Sequence, residues 1–387
     1  MTRNKNFVQE FPEFVFISLF THLNQVFLFK FASEQVLLFF VTISQCKNLI
    51  NMYKVAVYST KPYDKQFLEE AARNRNVEFH YFEDSISEEI ADFVKGFEAV
   101  CVFVNDKVTE SVIERLAADN VKLIALRCAG FNNVDLEAAA KHNIKIVRVP
   151  AYSPYAVAEH TLAMIMGLNR RTHRAFNRVR ESNFSLNGLM GFDLHGKTVG
   201  VIGTGKIGRI FSKIMIGLGC KVIAYDPYPN EEAKKDGVEY SSLEELFSRS
   251  DIISLQCPLT PETHHLINED SIKLMKKGVM LINTSRGGLI DTQALIEGLK
   301  SGRIGYLGMD VYEQEENIFF KDLSDEIIQD DLIMRLITFP NVLITAHQAF
   351  FTENAMTNIA ETTVNNIVQF QEGKPMDNEI NAEQVRA

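Results

Sequence analysis

An α/β fold built from two parallel-sheet domains is predicted by three observations. From Tyr53 onward, short β-rich runs alternate with amphipathic helical runs; Pro150 and Pro154 interrupt the series midway; and a second series opens at Lys197 and closes on a long helical pattern. A length of 387 residues accommodates two or three domains. With 46% hydrophobic and 23% charged residues, the composition argues against disorder, collagen and coiled coil. Forty Lys+Arg against fifty Asp+Glu give a net charge of −10, so nucleic acid is not an expected partner. The five cysteines (Cys46, Cys101, Cys128, Cys220, Cys257) are scattered and form no C-x-x-C pair. They suggest neither a disulfide framework nor a zinc knuckle, and a reducing, cytoplasmic location fits them.

Taken in order, residues 1–51 stand apart: they hold ten of the 28 Phe and none of the 21 Gly. Two apolar stretches, 14–20 and 36–43, are separated by Lys30 and Glu34, and neither reaches the ~18 residues of a spanning helix. The order of a secretory signal is missing too. Residues 1–51 are therefore expected to be an extension outside the fold, and Met52 to precede the first strand. Strands are expected at 54–58, 77–81, 98–104, 122–126 and 145–148, with helices at 63–75, 109–119 and 135–142. Ser153 and Pro154 supply an N-cap and a first-turn proline for a helix running to about Arg171. Further strands are expected at 197–202, 221–225, 251–255, 279–283, 305–310 and 341–345. The last helical pattern, 352–371, can return to the first unit, so that 52–151 with 350–387 form one discontinuous domain and 152–349 an inserted one.

The strongest local signal lies in the inserted domain. The strand 197–202 runs straight into Gly203, Gly205 and Gly208, spaced as G-x-G-x-x-G, and then into a helical pattern. The first glycine allows the tight turn, the second lets a pyrophosphate approach the backbone, and the third permits close helix–strand packing. The next strand ends in Asp226, placed to accept hydrogen bonds from the adenosine ribose. A 2′-phosphate would meet like charge there, so the expected cofactor is NAD and the domain a Rossmann fold.

Open α/β sheets bind ligands beyond the carboxyl ends of their strands. Strand 279–283 runs into Arg286, strand 305–310 into Asp310, Glu313, Glu315 and Glu316, and strand 341–345 into His347. An arginine can pair with a substrate carboxylate and polarise a ketone, and an imidazolium can supply a proton; a carboxylate beside an imidazolium favours its charged form. The residues alone do not separate His347 from His264 and His265, nor choose among the three glutamates. No H-E-x-x-H or comparable ligand spacing occurs, so no metal is expected.

These segments resemble the D-isomer-specific 2-hydroxyacid dehydrogenases, most closely the fermentative D-lactate dehydrogenases among them. The likeness runs from Met52 to about the C-terminus. It is carried by residues 127–135, by 149–160, by the glycine turn, by 283–287, by 308–315 and by His347, Gln348, Ala349 and Phe350. It implies two Rossmann- or flavodoxin-like domains, a substrate domain and an inserted NAD-binding domain, and reversible NADH-dependent reduction of pyruvate to D-lactate. It implies Arg286, Glu315 and His347 as catalytic residues, and backbone groups of Cys128, Ala129 and Gly130, with Tyr152, Arg286 and Phe350, around the substrate. Cofactor contacts would fall on Gly203, Gly205, Lys206, Ile207, Gly208, Asp226, Cys257, Pro258, Thr263, Thr284, Ser285, Arg286 and Asp310. A homodimer or higher homo-oligomer is implied as well. The extension departs from the family's usual chain. Competing readings are a relative acting on a larger 2-keto acid, a 3-phosphoglycerate-type dehydrogenase, which the forty residues after His347 disfavour, and a non-catalytic NAD-sensing corepressor-like protein. The last would use the basic run Arg170, Arg171, Arg174, Arg178 and Arg180, read as the end of the long helix.

Overall fold

The computed structural model describes residues 52–90 and 94–380, together with three backbone strands in the extension. Those strands are β1 (Ile17–Leu19), β2 (Gln25–Ala32) and β3 (Gln35–Thr42), paired antiparallel in that order. Apart from them, the expectation for residues 1–51 falls outside the described residues, as do residues 381–387. Among the described residues no helix is long and apolar enough to cross a membrane. The chain divides into two compact units, Met1–Pro150 with Ala360–Ala387, and Ala151–Ile359.

In the first unit, β4 (Tyr53–Val57), β5 (Val77–Tyr81), β6 (Ala99–Val102), β7 (Leu123–Leu126) and β8 (Lys145–Val147) form a parallel sheet in the order β5-β4-β6-β7-β8. This is the flavodoxin-like order. β6 and β7 are apolar and buried at every position, as strands covered on both faces must be. On one face Val100, Val102, Ile124 and Leu126 pack with Val112, Ile113 and Leu116 of the helix Glu110–Ala118. On the other, Val55, Val57, Leu123 and Ala125 pack with Leu68 and with Ala360, Val364 and Ile367 of the closing helix Glu353–Gln371.

The second unit holds β9 (Thr198–Ile202), β10 (Lys221–Tyr225), β11 (Glu239–Tyr240), β12 (Ile252–Leu255), β13 (Val279–Asn283), β14 (Ile304–Met309) and β15 (Val342–Ile344). They run parallel in the order β11-β10-β9-β12-β13-β14-β15, the Rossmann arrangement with one strand added at the end. The sequence reading lacks β11, a two-residue edge strand too short to show a period. Ser153 accepts a hydrogen bond from Ala156 N and caps the helix Pro154–Arg170, whose buried residues Ala158, Ile165 and Leu168 join the core. That helix stops at Arg170 because Arg171 adopts a left-handed backbone, φ +49°, and Thr172–Arg180 is a helix of its own. The basic run is thus not the end of the long helix, a correction that repetitive helix-forming residues concealed.

Candidate active site

The end of β9 and the start of the helix Lys206–Gly217 explain the three glycines. Gly203 has φ +98°, and a Cβ there would stand 2.6 Å from the Gln256 carbonyl oxygen. A Cβ on Gly208 would stand 2.0 Å from the Gly203 carbonyl oxygen, so helix and strand can approach this closely only with glycine. Gly205 faces open space and caps the helix without a side-chain hydrogen bond. The first-turn N–H groups at that end suit an anion. Beside the turn, Asp226 Oδ2 accepts from the Thr204 N–H at 2.7 Å and the Thr204 hydroxyl at 2.9 Å, and Oδ1 from the Tyr228 N–H at 2.9 Å. The Tyr240 hydroxyl donates to Thr204 Oγ1 at 2.8 Å. Thr204 and Tyr240 escaped the sequence reading; Tyr240 lies on the strand that the reading lacked.

A second loop is tied across the sheet edge. Ser285 Oγ donates to the Cys257 carbonyl at 2.6 Å, joining 257–263 to 284–286, and Thr263 Oγ1 donates to the Pro258 carbonyl at 2.7 Å within the first of these loops. Burial pushes the Cys257 thiol up to about 11. Under this loop Thr161 and Thr284 share a hydrogen bond of 2.8 Å, and the Gln256 amide donates to Ser254 Oγ at 2.9 Å.

A pocket of about 70 Å³ opens at this edge, and its walls include Ile207, Thr284, Ser285, Arg286, Asp310 and His347, with Tyr152 and Phe350. Val157, Gln256 and Ala349 also line it, although the sequence reading did not select them. Arg286 Nη1 donates to the Ser285 carbonyl at 2.8 Å, and Asn283 Nδ2 to the Arg286 carbonyl at 2.9 Å. Gly287 carries the chain past Tyr312 so closely that a Cβ would stand 2.1 Å from the Tyr312 carbonyl carbon. This approach sets the arginine loop against the acidic loop.

Tertiary structure separates the three glutamates. Glu315 Oε1 lies 2.6 Å from His347 Nδ1, and its Oε2 accepts the Tyr312 N–H at 2.8 Å. Glu313 instead meets His265 Nε2 at 2.6 Å and the Thr292 hydroxyl at 2.9 Å. Glu316 is exposed. His347 takes φ +53°, and its N–H donates to the Asp310 carbonyl at 2.6 Å. The Asp310 side chain is fully buried and accepts from the Thr345 hydroxyl at 2.5 Å, Gln348 N at 2.8 Å and Ala349 N at 2.9 Å. Burial alone would raise its pKa, but His160, Thr345, the Ala349 N–H and the His347 charge together bring it below the ordinary carboxylate value. Tyr152 and Phe350 meet edge to face at 6.1 Å, and Phe350 meets His347 likewise at 6.5 Å. Lys206, at the start of its helix, and Asp226, Cys257, Pro258, Thr263 and Glu315 do not line this pocket. In the first unit, Arg148 Nη1 donates to the Ala129 carbonyl at 2.9 Å and Cys128 Sγ to the Gly130 carbonyl at 3.3 Å, which hold the loop 128–130.

Comparison with known proteins gives this arrangement its family. Residues 162–349 match the model for the D-isomer specific 2-hydroxyacid dehydrogenase NAD-binding domain. A D-lactate dehydrogenase of Escherichia coli is 54% identical over 327 residues, covering 84% of this chain and 99% of the relative. The chain belongs to the D-isomer specific 2-hydroxyacid dehydrogenases. Among solved structures, the pyruvate reductase of Chlamydomonas reinhardtii is similar with a TM-score of 0.82 at 46% identity, covering 86% of this chain and all (100%) of that one. A D-lactate dehydrogenase from Aquifex aeolicus, solved with NAD and lactic acid, is similar with a TM-score of 0.74 at 38% identity, covering 82% and 96%. NAD is therefore the cofactor of this dehydrogenase. The open ground at Gly205, the helix N-terminus without a side-chain cap and the carboxylate of Asp226 fit a dinucleotide pyrophosphate and ribose.

Proposed function

We propose that this dehydrogenase reduces pyruvate to D-lactate with NADH, reversibly, using Arg286, Glu315 and His347. The observation that carries the reading is the 2.6 Å pair of His347 Nδ1 and Glu315 Oε1 behind a pocket that Arg286, Thr284 and Ile207 also line. A carboxylate only accepts, so Nδ1 carries a hydrogen and Nε2 is the atom offered to a substrate. NADH, when bound, supplies the hydride to the keto carbon. His347 Nε2 gives its proton to the keto oxygen, which becomes the hydroxyl of lactate, and takes it back in the reverse direction. Glu315 orients the ring and stabilises its positive charge. Arg286 pairs with the substrate carboxylate and polarises the ketone. Tyr152 and Phe350, which line the same pocket, favour a small side chain.

Further support concerns assembly and location. Phe176, Val179, Phe184, Leu186 and Met190, clustered within fifteen residues of chain, are each more than half exposed. Arg178 Nη1 donates to the Asn187 carbonyl at 2.7 Å and Arg171 Nη1 to the Gly188 carbonyl at 2.5 Å, so these guanidinium groups hold the apolar loop. This favours a homodimer through that stretch over a corepressor-like partner. Among the described residues, Cys101, Cys128, Cys220 and Cys257 are buried and outside any disulfide, in keeping with a reducing cytoplasm.

The test is NADH oxidation by the purified chain against a panel of 2-keto acids, with chiral analysis of the product. D-lactate formed fastest from pyruvate is the expected result; a bulkier keto acid winning corrects the substrate. His347→Gln should bind NADH nearly as well while turnover falls by ~10²–10⁴. Unchanged turnover sinks the assignment of His347.

A further inference from the structure

Two histidines outside the substrate pocket, His264 and His265, lie against each other and an acid. His264 and His265 are consecutive, and their rings stack with centroids 3.9 Å apart and planes 25° from parallel. The backbone beneath them is pinned, since His265 N donates to the Gly288 carbonyl at 2.9 Å and Asn268 Nδ2 to the His265 carbonyl at 2.9 Å. Glu313 arrives from 48 residues further along the chain, with Oε1 2.6 Å from His265 Nε2. Its other oxygen is held by the Thr292 hydroxyl at 2.9 Å. One ligand atom from each of His264, His265 and Glu313 lies within 4.8 Å of the other two.

Two imidazole nitrogens and one carboxylate oxygen are the donor set of zinc sites that keep a fourth position open. We infer that His264, His265 and Glu313 form a site for a zinc-like transition-metal dication, separate from the substrate pocket. The Thr292 hydroxyl acts as the outer-shell partner that orients the carboxylate and leaves Oε1 for the ion. Ligands about 2.0–2.1 Å from a tetrahedral ion stand about 3.3 Å apart, so the 2.6 Å pair of His265 and Glu313 must open slightly and the His264 donor must draw in. The stacked rings do not aim their lone pairs at one point. The larger movement falls to His264, which is exposed, while His265 and Glu313 part by less than about 1 Å to admit the ion between them. On binding, His265 Nε2 and Glu313 Oε1 each turn a lone pair to the ion in place of the hydrogen bond between them. One carboxylate and two neutral imidazoles leave a dication its single positive excess, within reach of the water that fills its fourth position. Linear spacing hides such a site because the third ligand comes from a different strand end.

The inference is independent of which 2-keto acid is reduced. The full chain, stripped with a chelator, is dialysed against zinc chloride and the bound ion counted by elemental analysis. The expected result is one zinc per chain at micromolar free ion. His264→Ala, a surface change that should leave the melting temperature alone, and Thr292→Val should each weaken binding by about tenfold or more. Zinc held equally well by wild type and His264→Ala overturns the site, and so does a wild-type chain that retains none.

Discussion

Replacing Glu315 by Gln isolates what the carboxylate does for His347. Both side chains are largely shielded, 18% and 15% exposed, so the 2.6 Å contact is little screened by solvent. A hydrogen bond to a charged group is worth about 1.5–3 kcal/mol. At about 1.4 kcal/mol per tenfold in rate, that amounts to a loss of about 10- to 150-fold in turnover if the interaction is made in the transition state. The amide cannot imitate the carboxylate, because His347 Nδ1–H and the Tyr312 N–H are both donors and glutamine offers only one oxygen. Turning the oxygen to either leaves an NH₂ group facing the other. The assay is steady-state NADH oxidation with pyruvate, giving kcat and the KM for each substrate, alongside the exposed control Glu316→Gln. The expected pattern is a fall in kcat with the KM for NADH nearly unchanged. Turnover of Glu315→Gln within about twofold of wild type, or an equal fall in Glu316→Gln, refutes the reasoning.

The other expectations concern the surroundings of the site. Asp226→Ala removes the acceptor for two donors of Thr204 and for the Tyr228 N–H, and should narrow the preference for NADH over NADPH in kcat/KM; an unchanged ratio rules out a ribose role. Cys257, with its thiol pushed up to about 11, is about one part in a thousand thiolate at pH 8. Iodoacetamide should therefore leave it unlabelled in the folded chain and label it after denaturation, and fast labelling of folded protein at pH 8, read by mass spectrometry, contradicts its burial. Asp310 has a folded pKa below its unfolded value of about 3.9, so its carboxylate stabilises the fold above that pH and the contribution is lost as pH falls through the folded pKa. Asp310→Asn should melt earlier than wild type at neutral pH, with the gap closing in acid below about pH 4; a gap independent of pH means the group is not ionised in the fold.

Much of the fold is legible along the chain because its causes are local. Buried parallel strands read as short continuous apolar runs, as in β6, β7 and β12, and the helix Pro154–Arg170 announces itself through Ser153 and Pro154. The break at Arg171 and the two-residue β11 were hidden, since neither alters composition or period. The phosphate-binding turn is local as well: Gly203 and Gly208 are demanded by backbone atoms a few residues away and by the neighbouring strand.

The chemistry divides differently. Sequence by itself determined the α/β class, the dinucleotide turn and the strand ends at which Arg286, the acidic run and His347 emerge. Only the tertiary structure decided which acid meets which histidine: Glu315 meets His347 across 32 residues, and Glu313 meets His265 across 48. Glu313 and Glu315 are two residues apart in one loop, so spacing cannot tell them apart. What separates them is the direction each side chain takes once Gly287 lets the arginine loop pass against Tyr312, a close approach that exists only after the sheet has assembled.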